Sequence, residues 1–302
     1  HVRARVYRTG VGIQVTLRRT AWGWVVDEHD EFAADMDKLR ELLVLLASTP
    51  IAQKVPVRPE RLGELGLLQK IENRWNFEAG RTASVLSVIH GIELKHRLIY
   101  QVLIGNRRTG GGGTYVRFPV SNTAYLIRED VELDGRAEHW IEHRVFEPDA
   151  ALAMRQIRIR HPGAAPLTFS RAAAEEPWRL AGAPQPPDPS RVRALQEALA
   201  ELRLVGVSSR GSRIRPAGDA PTVEVRFEDQ RAVTLTLNRG AAAAGSDPPA
   251  TLAAHLAGAA ADPLTRWRVE AFNRRFADRV VALDPAQSRH LLAGRDAYRA
   301  GP

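Results

Sequence analysis

Two stretches of this 302-residue chain, Val15 to Val55 and Leu167 to Ser208, pass through the same succession of patterns. Each begins with alternating residues, Val15-Thr16-Leu17-Arg18-Arg19 and Leu167-Thr168-Phe169-Ser170-Arg171, which place apolar and polar side chains on opposite faces of a strand. Each then reaches a tryptophan and a second short strand, Trp24-Val25-Val26 and Trp178-Arg179-Leu180. A turn leads to an aspartate placed to cap a helix, Asp35 before Met36 and Asp188 before Pro189. Such a carboxylate accepts hydrogen bonds from unpaired first-turn amides and contributes about 1 kcal/mol. Proline at the first helical position gives up no useful donor. The two helices carry matching stripes, Leu39, Leu42 and Leu46 against Val192, Leu195 and Leu199. Each ends in a further strand, Ile51 to Val55 and Leu204 to Ser208. The economical reading is a strand-strand-helix-strand unit present twice, which sets the expected architecture. That expectation is an α+β protein of two tandem related copies, residues 1–160 and 161–302, each a mainly antiparallel sheet with packed helices.

Length and composition fit two soluble domains with real cores, at 44% hydrophobic and 26% charged residues. No apolar run approaches the ~20 residues that cross a bilayer. The chain starts at His1 rather than at a methionine, which admits an upstream signal or anchor. Without cysteine there is no disulfide, thiolate metal site or cysteine nucleophile. The net charge of +8 comes from arginine spread along an alanine-rich chain, with no basic block interleaved with aromatics. That distribution reads as compositional bias and gives no nucleic-acid-binding face.

In chain order, Val2 to Tyr7 reads as an edge strand or frayed start, and Arg58 to Leu67 as a short helix stopped by glycine. Residues from Leu68 to Gly91, with Trp75 and Phe77, have no clear period, and a strand-like run then leads from Glu93 through Ile104 to Gly105. Arg107 and Arg108 stand beside Gly110, Gly111, Gly112 and Gly113, so amides and guanidinium groups could meet an anion there. A nucleotide phosphate loop also needs a terminal Lys-Ser or Lys-Thr and a following helix. Here the run enters the alternating Thr114-Tyr115-Val116-Arg117-Phe118, which favours a flexible hairpin connection. We take these six residues as the candidate binding site, with no cofactor expected.

The run from Leu103 through Arg117, followed by Ala124-Tyr125-Leu126-Ile127, resembles a bacterial family known as domain of unknown function 4340. Other elements agree: Trp24-Val25, Ala34-Asp35, Leu62-Gly63 with Leu65-Gly66-Leu67, Trp140-Ile141, Ile157-Arg158-Ile159 and the unit at Trp178. The longer segment from Leu68 to Lys95 departs from the pattern. The resemblance implies a body held outside the cytoplasmic membrane, in the bacterial cell envelope, by an N-terminal helix not present in this sequence. It further implies an accessory role beside ABC-type transporter subunits or gliding-type complexes. It implies no reaction.

His139-Trp140-Ile141-Glu142-His143 matches H-x-x-E-H, the inverted zinc-peptidase pattern. There, two histidines four apart on a helix bind zinc while the glutamate activates water. This makes a zinc-dependent hydrolase using His139 and His143 the alternative to a non-catalytic module. No downstream glutamate in a helical context supplies a third ligand. The resemblance instead makes Trp140 and Ile141 packing residues of a short helix with the histidines exposed. No nucleophile elbow frames a Ser-His-Asp set, and the acidic cluster Asp27 to Glu31 reads as a solvated turn.

In the second copy, His161 to Pro166 reads as the boundary, and Thr222 to Phe227 with Ala232 to Asn238 as a hairpin. Its core face holds Val223, Val225, Phe227, Val233, Leu235 and Leu237. A short helix is expected near Thr251 to Leu256, strands at Trp267 to Val269 and Val280 to Leu283, and a terminal helix opened by Asp284-Pro285.

Overall fold

A computed structural model of the chain describes residues 2–8, 13–69, 80–92, 95–147, 149–208, 211, 219–239, 250–258, 263–291 and 293–298. It separates into two units, His1–Glu142 and His143–Pro302.

The first unit opens with β1 (Val2–Arg8), β2 (Ile13–Thr20), β3 (Gly23–Val26) and the two-residue β4 (Phe32–Ala33). The helix α1 (Met36–Ser48) follows, then β5 (Ile51–Pro56), β6 (Ser84–Ile92), β7 (Lys95–Arg107), β8 (Thr114–Arg117) and β9 (Thr123–Ile127). They form one antiparallel sheet in the order β4-β3-β2-β1-β6-β7-β8-β9-β5. The period-two pattern explains the register. Val6 pairs with Val15 and Leu86, and Ala4 pairs with Leu17, so one face collects fully buried apolar side chains. A smaller core on the sheet joins Leu67, Ala83, Leu103 and Ala124.

The second unit contains α2 (Ala150–Ala153), β10 (Met154–Arg160), β11 (Leu167–Ser170), β12 (Arg179–Leu180) and α3 (Pro189–Ala200). It continues with β13 (Leu204–Val207), β14 (Thr222–Phe227), β15 (Ala232–Arg239), β16 (Ala250–Ala257), α4 (Pro263–Phe276), β17 (Val281–Leu283) and α5 (Pro285–Leu291). Its antiparallel sheet runs β12-β11-β10-β14-β15-β16-β17-β13. The class is therefore α+β with sheet predominating. Four strands, β1 to β4, precede α1 in the first unit and three, β10 to β12, precede α3 in the second; in both, the strand after that helix closes the far edge of the sheet.

Both aspartates cap as expected. Asp35 Oδ1 accepts from the amides of Asp37 and Lys38 at 3.0 and 3.1 Å, and Asp188 Oδ1 accepts from Ser190 at 2.9 Å. The β14–β15 hairpin buries all six expected side chains.

Several local expectations are corrected. Val2 to Tyr7 is a central strand, because β6 pairs along its second side. Residues 59–61 form one 3₁₀ turn followed by further turns rather than a glycine-stopped helix. Thr251 to Leu256 lies in β16; its alanines suggest a helix, but Leu252 and Leu256 share a buried strand face. Trp267 to Val269 lies inside α4, where Phe272 and Phe276, four apart, stack at 4.8 Å. Residues Met154 to Arg160, which a division at 160 assigns to the first copy, lie in the second sheet between β11 and β14. Trp75, Phe77 and residues 240–249 lie outside the described residues.

Candidate functional site at the Arg107 to Gly113 hairpin

The glycine run joins β7 to β8 as a hairpin. Its ends are closed by the Arg108 amide donating to Gly113 O at 2.8 Å, and a turn by the Gly111 amide donating to Arg108 O at 3.0 Å. Gly110, Gly111, Gly112 and Gly113 all have positive φ, a region that costs side-chain-bearing residues about 1–2 kcal/mol each. The reasons differ along the run. A Cβ on Gly110, Gly111 or Gly112 would meet nothing within 4 Å, whereas one on Gly113 would fall 1.9 Å from Ile127 O. Three glycines make an open, low-profile loop; the fourth lets β8 close against β9.

Behind the loop the backbone is clamped. Asn106 donates its amide to Leu65 O at 2.8 Å and its Nδ2 to Gly80 O at 2.7 Å and Glu64 O at 3.3 Å. Gly105 is required there because a Cβ would lie 2.3 Å from Leu65 O, and Gly66 because a Cβ would meet the Asn106 side chain at 2.5 Å. The Leu62 to Leu67 turn and the end of β7 are thus one packed knot, with Leu67 and Leu103 fully buried.

Two open recesses flank this knot. One, of about 620 Å³, is lined by Glu64, Leu65, Asn106, Arg107, Arg108, Thr109 and Tyr115. The other, of about 250 Å³, includes Ser84, Asn106, Arg107 and Glu132. Arg107 lies beside both, and its exposed guanidinium is 3.4 Å from Glu132. An ion pair this exposed contributes under about 1 kcal/mol, so Arg107 can exchange Glu132 for another acidic group at little cost. The geometry gathers the expected site residues into one surface loop that offers guanidinium groups, a hydroxyl and amides.

The histidine motif is placed differently. Its helical part is a 3₁₀ turn, Ala137–His139, and Trp140 to His143 is not helical. The shared helical face that a four-residue spacing needs is therefore not built. His139 Nδ1 donates to Asp134 Oδ2 at 2.5 Å, while His143 Nδ1 lies 2.8 Å from Leu204 O. Among the described residues no group of three metal-ligating side chains is assembled. Trp140 and Ile141 are each 1% exposed, so they pack as expected, though from a turn and an extended segment rather than a helix.

The knot unites the two glycine-bearing motifs that the sequence shows far apart, and it lies within residues 24–237, which match a family model described as a domain of unknown function, DUF4340. The chain belongs to that family. Comparison with curated proteins and with solved structures found no match.

In this DUF4340 chain a second cluster, which sequence reasoning missed, fastens the helix α1. The Asp35 amide donates to Trp140 O at 2.7 Å, and Lys38 Nζ donates to His139 O at 3.0 Å and lies 4.9 Å from the centre of the Trp140 ring. Trp140 Nε1 donates to Asp134 O at 2.7 Å. The second unit repeats the arrangement on α3: the Asp188 amide donates to Tyr298 O at 3.1 Å, and Arg191 Nη1 to Ala297 O at 2.5 Å. In both, the capping aspartate, the basic residue three positions on and an aromatic residue far along the chain form one latch. The buried Tyr298 ring packs edge-on against Phe169 at 5.0 Å, and burial pushes its hydroxyl up to about 12.

Burial alone would raise the Asp134 carboxyl. The Arg136 amide, the His139 ring, the Arg136 guanidinium and Lys38 outweigh it and hold the group well below the usual carboxylate range. A depressed folded-state value gives stability that is complete above the unfolded value, near 3.9, and is lost as pH falls through the folded value. Asp134→Asn is therefore expected to destabilise the protein by about 1 kcal/mol at neutral pH, allowing for partial exposure. Urea unfolding followed against pH should show that difference shrinking below pH ~4. A difference that grows on acidification contradicts the assignment.

Proposed function

We propose that this chain is a non-catalytic binding and assembly module in which two related copies of one α+β unit act as the scaffold. The shared strand order and the repeated latch support the relation between the copies, since matching contacts of this kind do not follow from sheet topology alone. The observation that carries the binding role is the hairpin: an open glycine loop with Arg107 and Arg108 at its base, raised on a rigid clamp and bordered by recesses. Rigid support under a mobile-capable polar loop is the usual arrangement of a recognition surface. The partner and location come from the family resemblance. They are a membrane complex, such as subunits of an ABC-type transporter, on the extracytoplasmic face of the cytoplasmic membrane. An N-terminal helix outside this sequence would be the tether.

The test is to replace Arg108 to Gly112 with a two-residue turn in the full-length protein and measure recovery of cross-linked partners. The reading predicts a loss of about tenfold or more, as for removal of an interface anchor. Unchanged recovery removes the hairpin as the site.

A further inference from the structure

The two helices that carry the matching stripes are covered to very different extents. On α3, Val192, Leu195 and Leu199 are all fully buried; on α1 Leu39 is buried, but Leu42 and Leu46 are only half covered. The next positions sharpen the contrast. Where α3 carries polar Gln196 and Glu197, α1 carries Leu43 and Val44, which are 36% and 57% exposed. The strands that follow differ in the same way. Leu204 at the start of β13 is 2% exposed, and Ile51 at the start of β5 is 53% exposed.

The second unit shows what supplies the cover. The segment from His143 to Ala153 runs beside the start of β13, with the Leu204 amide donating to His143 O at 2.8 Å and the Val145 amide to Leu202 O at 2.9 Å. It then places α2 against α3, where Gln196 Nε2 donates to Ala151 O at 2.7 Å. Val145, Phe146 and Ala150 in this segment are buried, Phe146 with its ring 5.9 Å from that of Phe227. In the first unit β5 pairs with β9 on one side and, among the described residues, with no strand on the other.

We propose that the edge of β5 and the uncovered face of α1 form a docking surface for a partner polypeptide that binds as His143 to Ala153 binds β13 and α3. That occupant is an extended strand followed by a short apolar helical turn. A strand edge exposes backbone donors and acceptors that another chain can satisfy and lipid acyl chains cannot. The apolar side chains of Leu43, Val44 and Ile51 supply the contact area. The surrounding exposed charges are mixed, Arg40, Lys54 and Arg128 with Glu41, Glu129 and Asp130, and Arg40 pairs with Asp37 at 2.8 Å, so the strand edge and the apolar side chains rather than net charge select the occupant. This inference rests on the relation between the two copies proposed above.

The experiment uses the full 302-residue chain and a synthetic peptide with the sequence of residues 143–153, with hydrogen exchange as the readout. The peptide should slow exchange across residues 42–55 and bind about tenfold more weakly to Val44→Glu. Val205→Glu, at an exposed position of β13, should bind as wild type. Protection that requires phosphatidylglycerol vesicles instead overturns the proposal in favour of a lipid surface. Protection that rises with protein concentration alone overturns it in favour of self-association. No protection at millimolar peptide, or protection insensitive to Val44→Glu, also overturns it. If the peptide fails while the shortened hairpin still loses its partner, the binding-module reading stands and this surface falls.

Discussion

Gly113→Ala is expected to cost about 3 kcal/mol or more of folding stability, against about 1 kcal/mol for Gly111→Ala two positions earlier. Both glycines have positive φ, +128° and +87°, so the intrinsic strain of a side chain is similar. The difference lies in space. A Cβ at 113 would sit 1.9 Å from Ile127 O, and backbone rather than a pliant side chain would have to move. Relief means parting β8 from β9, and the hydroxyl of Thr114, fully buried, would lose its place receiving the Val131 amide at 2.9 Å. A Cβ at 111 meets nothing within 4 Å. Urea unfolding of the two variants beside wild type measures the gap directly; equal costs would mean that the loop, and not the β8–β9 closure, dictates glycine at 113.

The second large effect is at the α1 latch. Trp140→Ala is expected to destabilise by about 3–5 kcal/mol, the range for emptying a buried aromatic site. The 1% exposed ring packs beneath Lys38, and its Nε1 serves the Asp134 carbonyl. Trp140→Phe keeps most of the volume and leaves that carbonyl without its donor, so its cost should stay near 1–2 kcal/mol. Thermal unfolding of both variants checks the ordering; an alanine variant no worse than the phenylalanine one would show that the ring does not hold α1 in place.

The scaffold was legible where the physics is local. Alternation marked β2, β11, β14 and β15, and a carboxylate before a 3.6-period stripe marked α1 and α3. The errors came where the window was too short or the partner too distant. Three residues, Trp267 to Val269, look like a strand until Phe272 and Phe276 are read with them. Nothing near Val2 announces that β6, more than eighty residues on, will take its second edge. The hairpin was readable because glycine and arginine declare their conformational and chemical uses. Asn106, Asp134 and the latch were not, since Lys38 meets His139 across 101 residues and Arg191 meets Ala297 across 106. The lysine or arginine three places after each capping aspartate was the one available signal. For the H-x-x-E-H match, the sequence spacing did not show the local backbone, which leaves the helical turn at Trp140.

The central claim is that the chain works by holding a protein partner rather than by catalysis. Its most direct test is cross-linking of the full-length protein in its native host, with the linked sites mapped by mass spectrometry. The account predicts transporter or other envelope-complex subunits linked through residues 107–113. Recovery of no polypeptide above background, together with near-stoichiometric zinc that is lost in a His139→Ala variant, would contradict it.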